Sequence, residues 1–343
     1  MKHAILLCTA LLSQCTAAPA AAPTPGPALA PTEIVAKAPA ADWAPIAPSD
    51  FLVMDLAPDA KGAARRVVIQ LLPAPFSQGW IGNIRALAAA HWWDGTSVNR
   101  VQDGYVVQWG DPDGEDKAKA KPLPAGLKVV PVADYEQPET ALKSARYRSK
   151  SGGAAYVYQL LRGHADQGQS SKPENLPPHV VGSSGDNYSA YVGWEGGWPV
   201  ASDFTKAWPI HCYGTVGVGR DYPPDTGSGA ELYAVIGQAP RQLDRNIAVV
   251  GRVIEGMEHL SSLPRGTGDI GFYKTAEERT PIRAIRIGSE VPDLPRYQYL
   301  STESASFAKY ADARANRRDA FYILPAGGVD ICNVPVPVRR VPG

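Results

Sequence analysis

Apolar residues in this chain fall in short β-rich runs separated by turns rich in Gly and Pro. The run Arg66-Val67-Val68-Ile69-Gln70-Leu71-Leu72 ends at Pro73 and predicts a first strand. Next, Trp80, Ile84, Leu87, Ala88 and Trp92 share the spacing of one helical face, so Gly79–Trp93 predicts a helix. Val249–Val253 predicts a strand, Glu255–Leu263 a short helix stopped at Pro264, and the partly alternating Pro281–Ile287 the last strand of the set. Beyond these, Ser301–Arg318 predicts a helix and Asp330–Val334 a short strand. Many short strands with Gly-rich turns suit an antiparallel barrel, whose closure removes exposed edges.

The termini read differently. Met1-Lys2-His3 followed by Ala4–Leu12 has the form of an export signal: a short basic start, then an apolar run too short to span a bilayer as a mature helix. We assign residues 1–18 to it. Two outcomes stay open for its end. Leu12-Ser13-Gln14-Cys15 is similar to a bacterial lipid-attachment site, which makes Cys15 a candidate anchor; plain cleavage near Ala18 or Ala20 is the other. No later run is long enough to cross a membrane. Ala, Pro and Thr dominate from Ala17 to about Pro48, and residues 19–49 are expected to be an extended tether. At 343 residues the chain has room for one large domain, and its 44% hydrophobic content supplies a core. Lys+Arg and Asp+Glu balance at 34 each, so no basic field favours nucleic acid.

The stretch from Asp94 to Asp111 carries the chemistry. Asp94-Gly95 makes a turn, Arg100 puts one cation on a strand, Gly104 turns the chain again, and Tyr105, Val106, Gln108 and Trp109 return apolar groups and an amide. This segment resembles the DG-x-x-FHRV-x-x-GF-x-x-QGGDP segment of the cyclophilin family of peptidyl-prolyl isomerases, departing at Asn99, Tyr105 and Trp109. Three later runs resemble the same family in the same order. Gly214–Arg220 is similar to GTLSMAR, Ala230–Gly237 to SQFFITLG, and Ala239–Asp244 with Val249–Met257 to APHLDGKHTVFGRVIEGM. The resemblance implies a mainly β fold: a closed antiparallel eight-stranded barrel capped by two helices, over residues 50–290. It leaves two parts unaccounted for. One is an insert at about 114–208, expected to be irregular or β-rich and holding Trp194 and Trp198; the other is a C-terminal extension, 291–343.

The resemblance also implies roles. Arg100 would be the catalytic guanidinium. Tyr105, Val106, Tyr233 and Leu243 would line a proline pocket, and Gln108 would orient the arginine and the substrate. Gly219 and Arg220 would pair through main-chain groups with an extended peptide. Glu231 stands where the family has a glutamine, and would either pair with Arg100 or compete with substrate for it. Gln242 and Ile247 replace an aromatic residue and a histidine, and Val106 is shorter than methionine, so weakened isomerase activity and poor cyclosporin binding are expected. Partners would be unfolded or proline-containing polypeptides of the periplasm or another exported location, and no cofactor is implied. A non-catalytic module that binds proline-containing peptides is the rival reading.

Only Cys212 and Cys332 outlast signal removal, and in an oxidising compartment they are expected to form a disulfide tying the tail to the barrel. His211 is expected to be structural. The acidic run Asp111–Asp116 lacks a full calcium-loop pattern. The chain has no HExxH, paired CxxC, P-loop or GxSxG motif.

Overall fold

The computed structural model describes residues 28–142, 182, 183 and 186–342. The expected export signal, Cys15, the first part of the tether and the middle of the insert lie outside these residues. In chain order the strands are β1 (Trp43–Pro45), β2 (Phe51–Leu56), β3 (Arg65–Leu71), β4 (Ser97–Val101), β5 (Val106–Gly110), β6 (Gln137–Pro138), β7 (Gly182–Ser183) and β8 (Tyr191–Glu195). They continue with β9 (Trp198–Ser202), β10 (Lys206–Pro209), β11 (Thr215–Val218), β12 (Leu232–Val235), β13 (Val249–Glu255), β14 (Thr280–Ile287), β15 (Tyr297–Leu300) and β16 (Val338–Arg340). The α-helices are α1 (Pro31–Ala36), α2 (Gln78–Ala89), α3 (Glu258–Ser261) and α4 (Ala305–Ala315).

Eight strands close a barrel in the order β11-β12-β5-β4-β14-β2-β3-β13, and β13 pairs back to β11. Every pairing is antiparallel. Its interior is packed: Leu52, Met54, Val67, Ile69, Val98, Val107, Trp109, Val216, Leu232 and Ile285 form one buried cluster. The apolar face of α2 joins that cluster through Trp80, Ile84, Leu87 and Ala88. Two indoles there find acceptors, with Trp80 Nε1 donating to the carbonyls of Thr226 and Gly227 and Trp93 Nε1 to that of Ala230. A helix that buries four apolar side chains and pays for its buried N–H groups with carbonyls is fixed against the barrel.

Four expectations are corrected. The first barrel strand is β2, one earlier than Arg66–Leu72; it forms a hairpin with β3 whose register runs from Phe51↔Gln70 to Leu56↔Arg65. The second helix is shorter than Glu255–Leu263, because β13 extends to Glu255 and only Glu258–Ser261 is helical. Asp330–Val334 is not a strand: Asp330 caps a 3-10 turn at Ile331–Asn333 by accepting from the Cys332 N–H, and the strand of the tail is β16. The tether reading fails from Pro31 onward. There α1 packs against α4, Trp43 and Ile46 are buried, and β1 pairs with β15. Ile34, Val35, Trp43 and Ile46 supply enough apolar surface once the tail of the chain covers them.

In that small sheet, β1-β15-β16, the N-terminal strand β1 joins two strands of the C-terminal extension. The insert contributes a second sheet, β6-β10-β9-β8-β7. Its tryptophans pack inward: Trp194 meets Phe307 edge-on at 5.2 Å, and Trp198 lies 4.4 Å under the Arg252 guanidinium. Cys212 and Cys332 are joined in a disulfide with Cα atoms 5.1 Å apart. None of the described helices is long and apolar enough to cross a membrane.

Candidate active site

β4 and β5 run antiparallel with an irregularity between Val98 and Arg100, which sets Arg100 opposite Gln108. β12 follows on β5 with Tyr233 opposite Gln108. Side chains on one face of adjacent strands meet, and here they bound a hollow of about 100 Å³. Its walls are Arg100, Tyr105, Val106, Gln108, Gly219, Arg220, Tyr233, Leu243 and Ile247. The structure therefore brings together the residues given a role above except Glu231, and of the two substituted site positions it includes Ile247 and leaves out Gln242.

Arg100 is held from three sides. Nε donates to the Ile270 carbonyl (2.8 Å), Nη1 to Gln108 Oε1 (3.2 Å) and Nη2 to Gln102 Oε1. The rings of Tyr105 and Phe272 lie 5.8 and 5.4 Å from the guanidinium carbon. Burial draws its pKa below the usual arginine value, yet a guanidinium stays charged at physiological pH. Gln102 was legible, since it stands two residues from Arg100, just past the end of β4, where the alternation of the strand keeps it on the same face. Ile270 and Phe272 come from a separate loop with no local signal; Phe272 reaches Arg100 through an isolated β-bridge.

Glu231 is corrected on both alternatives. It neither pairs with Arg100 nor faces the hollow. Its carboxyl occupies the space that a side chain at Gly110 would need, only 2.0 Å from where that Cβ would stand. Burial raises its pKa to about 8, against the lowering effect of hydrogen bonds from the Asp111 backbone and the Gln108 side chain. One carboxyl oxygen, Oε2, has no hydrogen-bond partner, as suits a group that prefers to stay neutral. The Gln108 amide thus turns its nitrogen toward Glu231 and its oxygen toward Arg100.

Gly219 and Arg220 are partly committed. The Gly219 N–H donates to the Glu231 carbonyl, and Arg220 donates to the carbonyls of Asn246 and Asp221. The Gly219 N–H is thus not among the main-chain groups open to a peptide.

Behind Tyr233 lies a buried polar chain that sequence reasoning missed. Asp244 Oδ1 accepts from both the backbone N–H and the Nδ1–H of His211, at 2.9 Å each. His211 Nε2 is then the acceptor, and the Tyr233 hydroxyl donates to it at 2.9 Å. Burial raises the Tyr233 pKa well above its usual value, so the hydroxyl keeps its proton. The ring lies where Gly217 has no side chain; a Cβ there would sit 2.3 Å from the hydroxyl. Asp244 Oδ2 in turn accepts from Arg241 Nε at 2.6 Å. His211 is fully buried and structural. Asp244 stood in the quoted motif, but nothing local marked it as a partner of His211.

Gln242 is exposed and its carbonyl accepts from the Asn246 amide. In the acidic run, Asp111 and Asp116 accept from nearby backbone N–H groups, and no cluster of three metal-ligating side chains occurs among the described residues.

A closed eight-stranded antiparallel barrel with a strand-borne guanidinium at the edge of a small, partly apolar hollow defines a cyclophilin-like architecture. The family model for cyclophilin type peptidyl-prolyl cis-trans isomerases (CLD) matches residues 66–289. The chain belongs to that family. It is similar in fold to the cyclophilin AquaCyp293 from Hirschia baltica, with 18% identity and a TM-score of 0.55 over 87% of this chain and 92% of that one. A cyclophilin type peptidyl-prolyl cis-trans isomerase from Cryptosporidium parvum, crystallised in the presence of the dipeptide Ala-Pro, shares 12% identity over 69% of this chain and 98% of its own, with a TM-score of 0.34. No curated protein sequence matches the chain.

Proposed function

We propose that this protein is an exported peptidyl-prolyl cis-trans isomerase that acts on X-Pro bonds of unfolded or partly folded polypeptides, with Arg100 as its catalytic group. The amide C–N bond has partial double-bond character and a rotation barrier of roughly 18–20 kcal/mol, so uncatalysed exchange takes roughly 10–100 s. At the twisted midpoint the proline nitrogen regains its lone pair and becomes an acceptor. A fixed guanidinium donates to that nitrogen only then, which favours the transition state over both planar forms. Tyr105, Val106, Tyr233, Leu243 and Ile247 supply apolar walls for the proline ring. The Glu231–Gln108–Arg100 series holds the donor in place. No nucleophile and no metal is required by this route.

The observation that carries the reading is the convergence of Arg100, Gln108 and Tyr233 on one hollow in a chain of this family. The export reading is supported by the N-terminal run of the sequence and by the Cys212–Cys332 disulfide, a bond favoured in oxidising compartments. Under it, the protein works in the periplasm or an equivalent exported site, with Cys15 a candidate lipid anchor.

One observation favours the rival, a module that binds proline-containing peptides without turning them over: each nitrogen of Arg100 already donates within the protein. A protease-coupled or NMR exchange assay on a short X-Pro peptide separates the two. The enzyme reading expects catalysis in the wild type and a fall of roughly 100- to 1,000-fold in kcat for Arg100→Ala. Peptide binding without catalysis in the wild type, or unchanged turnover in Arg100→Ala, refutes it.

A further inference from the structure

Leu243, one wall of the hollow, sits on a short segment that the insert holds at both ends. Arg241 is only 3% exposed, and its Nη1 donates to Asp186 at 2.5 Å while its guanidinium lies 5.0 Å over the Tyr188 ring. Asp186 is set in advance for this contact. Its Oδ1 accepts from the Tyr188 N–H, the Ser189 N–H and the Ser189 hydroxyl, which leaves Oδ2 for Arg241. At the other end Arg245 donates to Glu136 and lies 4.6 Å over the Trp208 ring. Glu136 is shared with Lys206, at 2.7 Å. Asp186, Tyr188, Glu136 and Trp208 all belong to the insert, and none of them lines the hollow.

Between these two staples Asp244 turns inward to His211, and His211 holds the Tyr233 hydroxyl. Tyr233 is thus tied to the insert through one continuous chain of charge-assisted and neutral hydrogen bonds, and Leu243 through the backbone held between Arg241 and Arg245. Such bonds are the strong ones, and in a buried setting they leave little freedom.

We infer that the insert is a positioning element for the proline site. Its ion pairs Asp186–Arg241 and Glu136–Arg245 fix the separation of Leu243 from Tyr233 and so set how tightly a proline-containing peptide is held. The inference rests on the proposed site, not on its catalytic competence. The two staples are unequal: Arg241 is buried, whereas the Arg245 side chain is 46% exposed and more open to solvent screening. Most of the effect therefore belongs to Asp186.

The test uses the full chain and a short Ala-Pro-containing peptide, with affinity measured by calorimetry and turnover measured separately. In Asp186→Ala/Glu136→Ala, peptide affinity is expected to fall by about 10-fold per folded molecule, in the range that coupling networks supply. KM should rise in proportion, with kcat within about twofold of wild type. Asp186→Asn/Glu136→Gln keeps the size of each side chain and one of its two acceptor oxygens while removing the charge, so it should fall between the two; it also decides the matter if the alanine pair unfolds. Wild-type affinity and KM in a folded variant overturn the inference while leaving the isomerase reading intact. If the wild type binds the peptide without turning it over, the isomerase reading fails and the affinity ratio still decides this one. A wild type that binds no peptide overturns both.

Discussion

Arg100 and Arg252 stand on β4 and β13, four strands apart in either direction around the eight-stranded ring. Each lies beside a hollow, and neither meets a carboxylate among the described residues. The hollow near Arg252 is the larger, about 180 Å³ against about 100 Å³. What differs is who supplies the walls. The hollow at Arg100 is built from barrel strands and the segment that carries Leu243 and Ile247. The one at Arg252 is a seam: Val253 and Ile254 come from the barrel, Pro199 and Pro209 from the insert, Val334 and Val336 from the extension, with the disulfide alongside. Arg252 joins these parts. Its Nε and Nη2 both donate to Gln70 Oε1, its Nη1 donates to the Gly197 carbonyl across to the insert, and Trp198 covers its face. A cation beside a cavity therefore does not by itself mark a site; the partners tell a clamp from a donor facing a ligand space.

Substitution of the two arginines makes the contrast measurable. Arg252→Ala strips the buried Gln70 oxygen and the Gly197 carbonyl of their donor and removes the contact with Trp198. It is expected to lower stability by about 3 kcal/mol, read from urea unfolding, with turnover per folded molecule unchanged. Arg100→Ala is expected to do the reverse, with stability within about 1 kcal/mol of wild type. If Arg252→Ala abolished turnover in a stable protein, the distinction between seam and site would break.

Glu231 gives the site region a pH response that the seam lacks, since the Arg252 pKa, lowered by burial, still stands at about 10. The folded carboxyl has its pKa raised to about 8 by burial, with Asp111 and Glu115 adding smaller raising effects. The folded state thus binds the proton more tightly than the unfolded state. Its stabilising contribution is complete below the unfolded carboxyl pKa and is lost as pH rises toward about 8. Stability is expected to fall by about 2 kcal/mol from about pH 6 to about pH 8. Glu231→Gln should flatten that slope in parallel urea titrations. An equal slope in both proteins would mean that the carboxyl is ionised in the fold throughout.

These regions were not equally legible in the sequence. Arg100, Tyr105, Val106 and Gln108 sit on two adjacent strands joined by a tight turn, so spacing and resemblance together placed them near one another. Tyr233 and Leu243 came from family order rather than from any local pattern. The seam was illegible because its parts meet only in three dimensions. Trp43 and Ile46 lie in a stretch whose Ala/Pro composition reads as a tether, and it is β15 and the tail that bury them. Ile331–Asn333 reads as strand by composition, yet the Asp330 cap and the disulfide hold it as a turn. Glu231 was misjudged because its side chain turns behind Gln108, and the cue lay in Gly110, whose missing side chain leaves it room.

Tyr233→Phe probes the link between site and insert most finely. The phenyl ring still fits over Gly217, but His211 Nε2 loses its donor. An orphaned buried acceptor costs about 1 kcal/mol or somewhat more, so a loss of that size is expected in urea unfolding. The sharper measurement pairs this substitution with Asp186→Asn in a double-mutant cycle. Asp186 and Tyr233 do not touch, and the intervening bonds run through Arg241, Asp244 and His211. If that chain acts as one network, the two losses should be non-additive by at least about 0.5 kcal/mol. Strict additivity would end the influence of the insert at Asp244, leaving Tyr233 held by the barrel alone and Leu243 as the one wall the insert still sets.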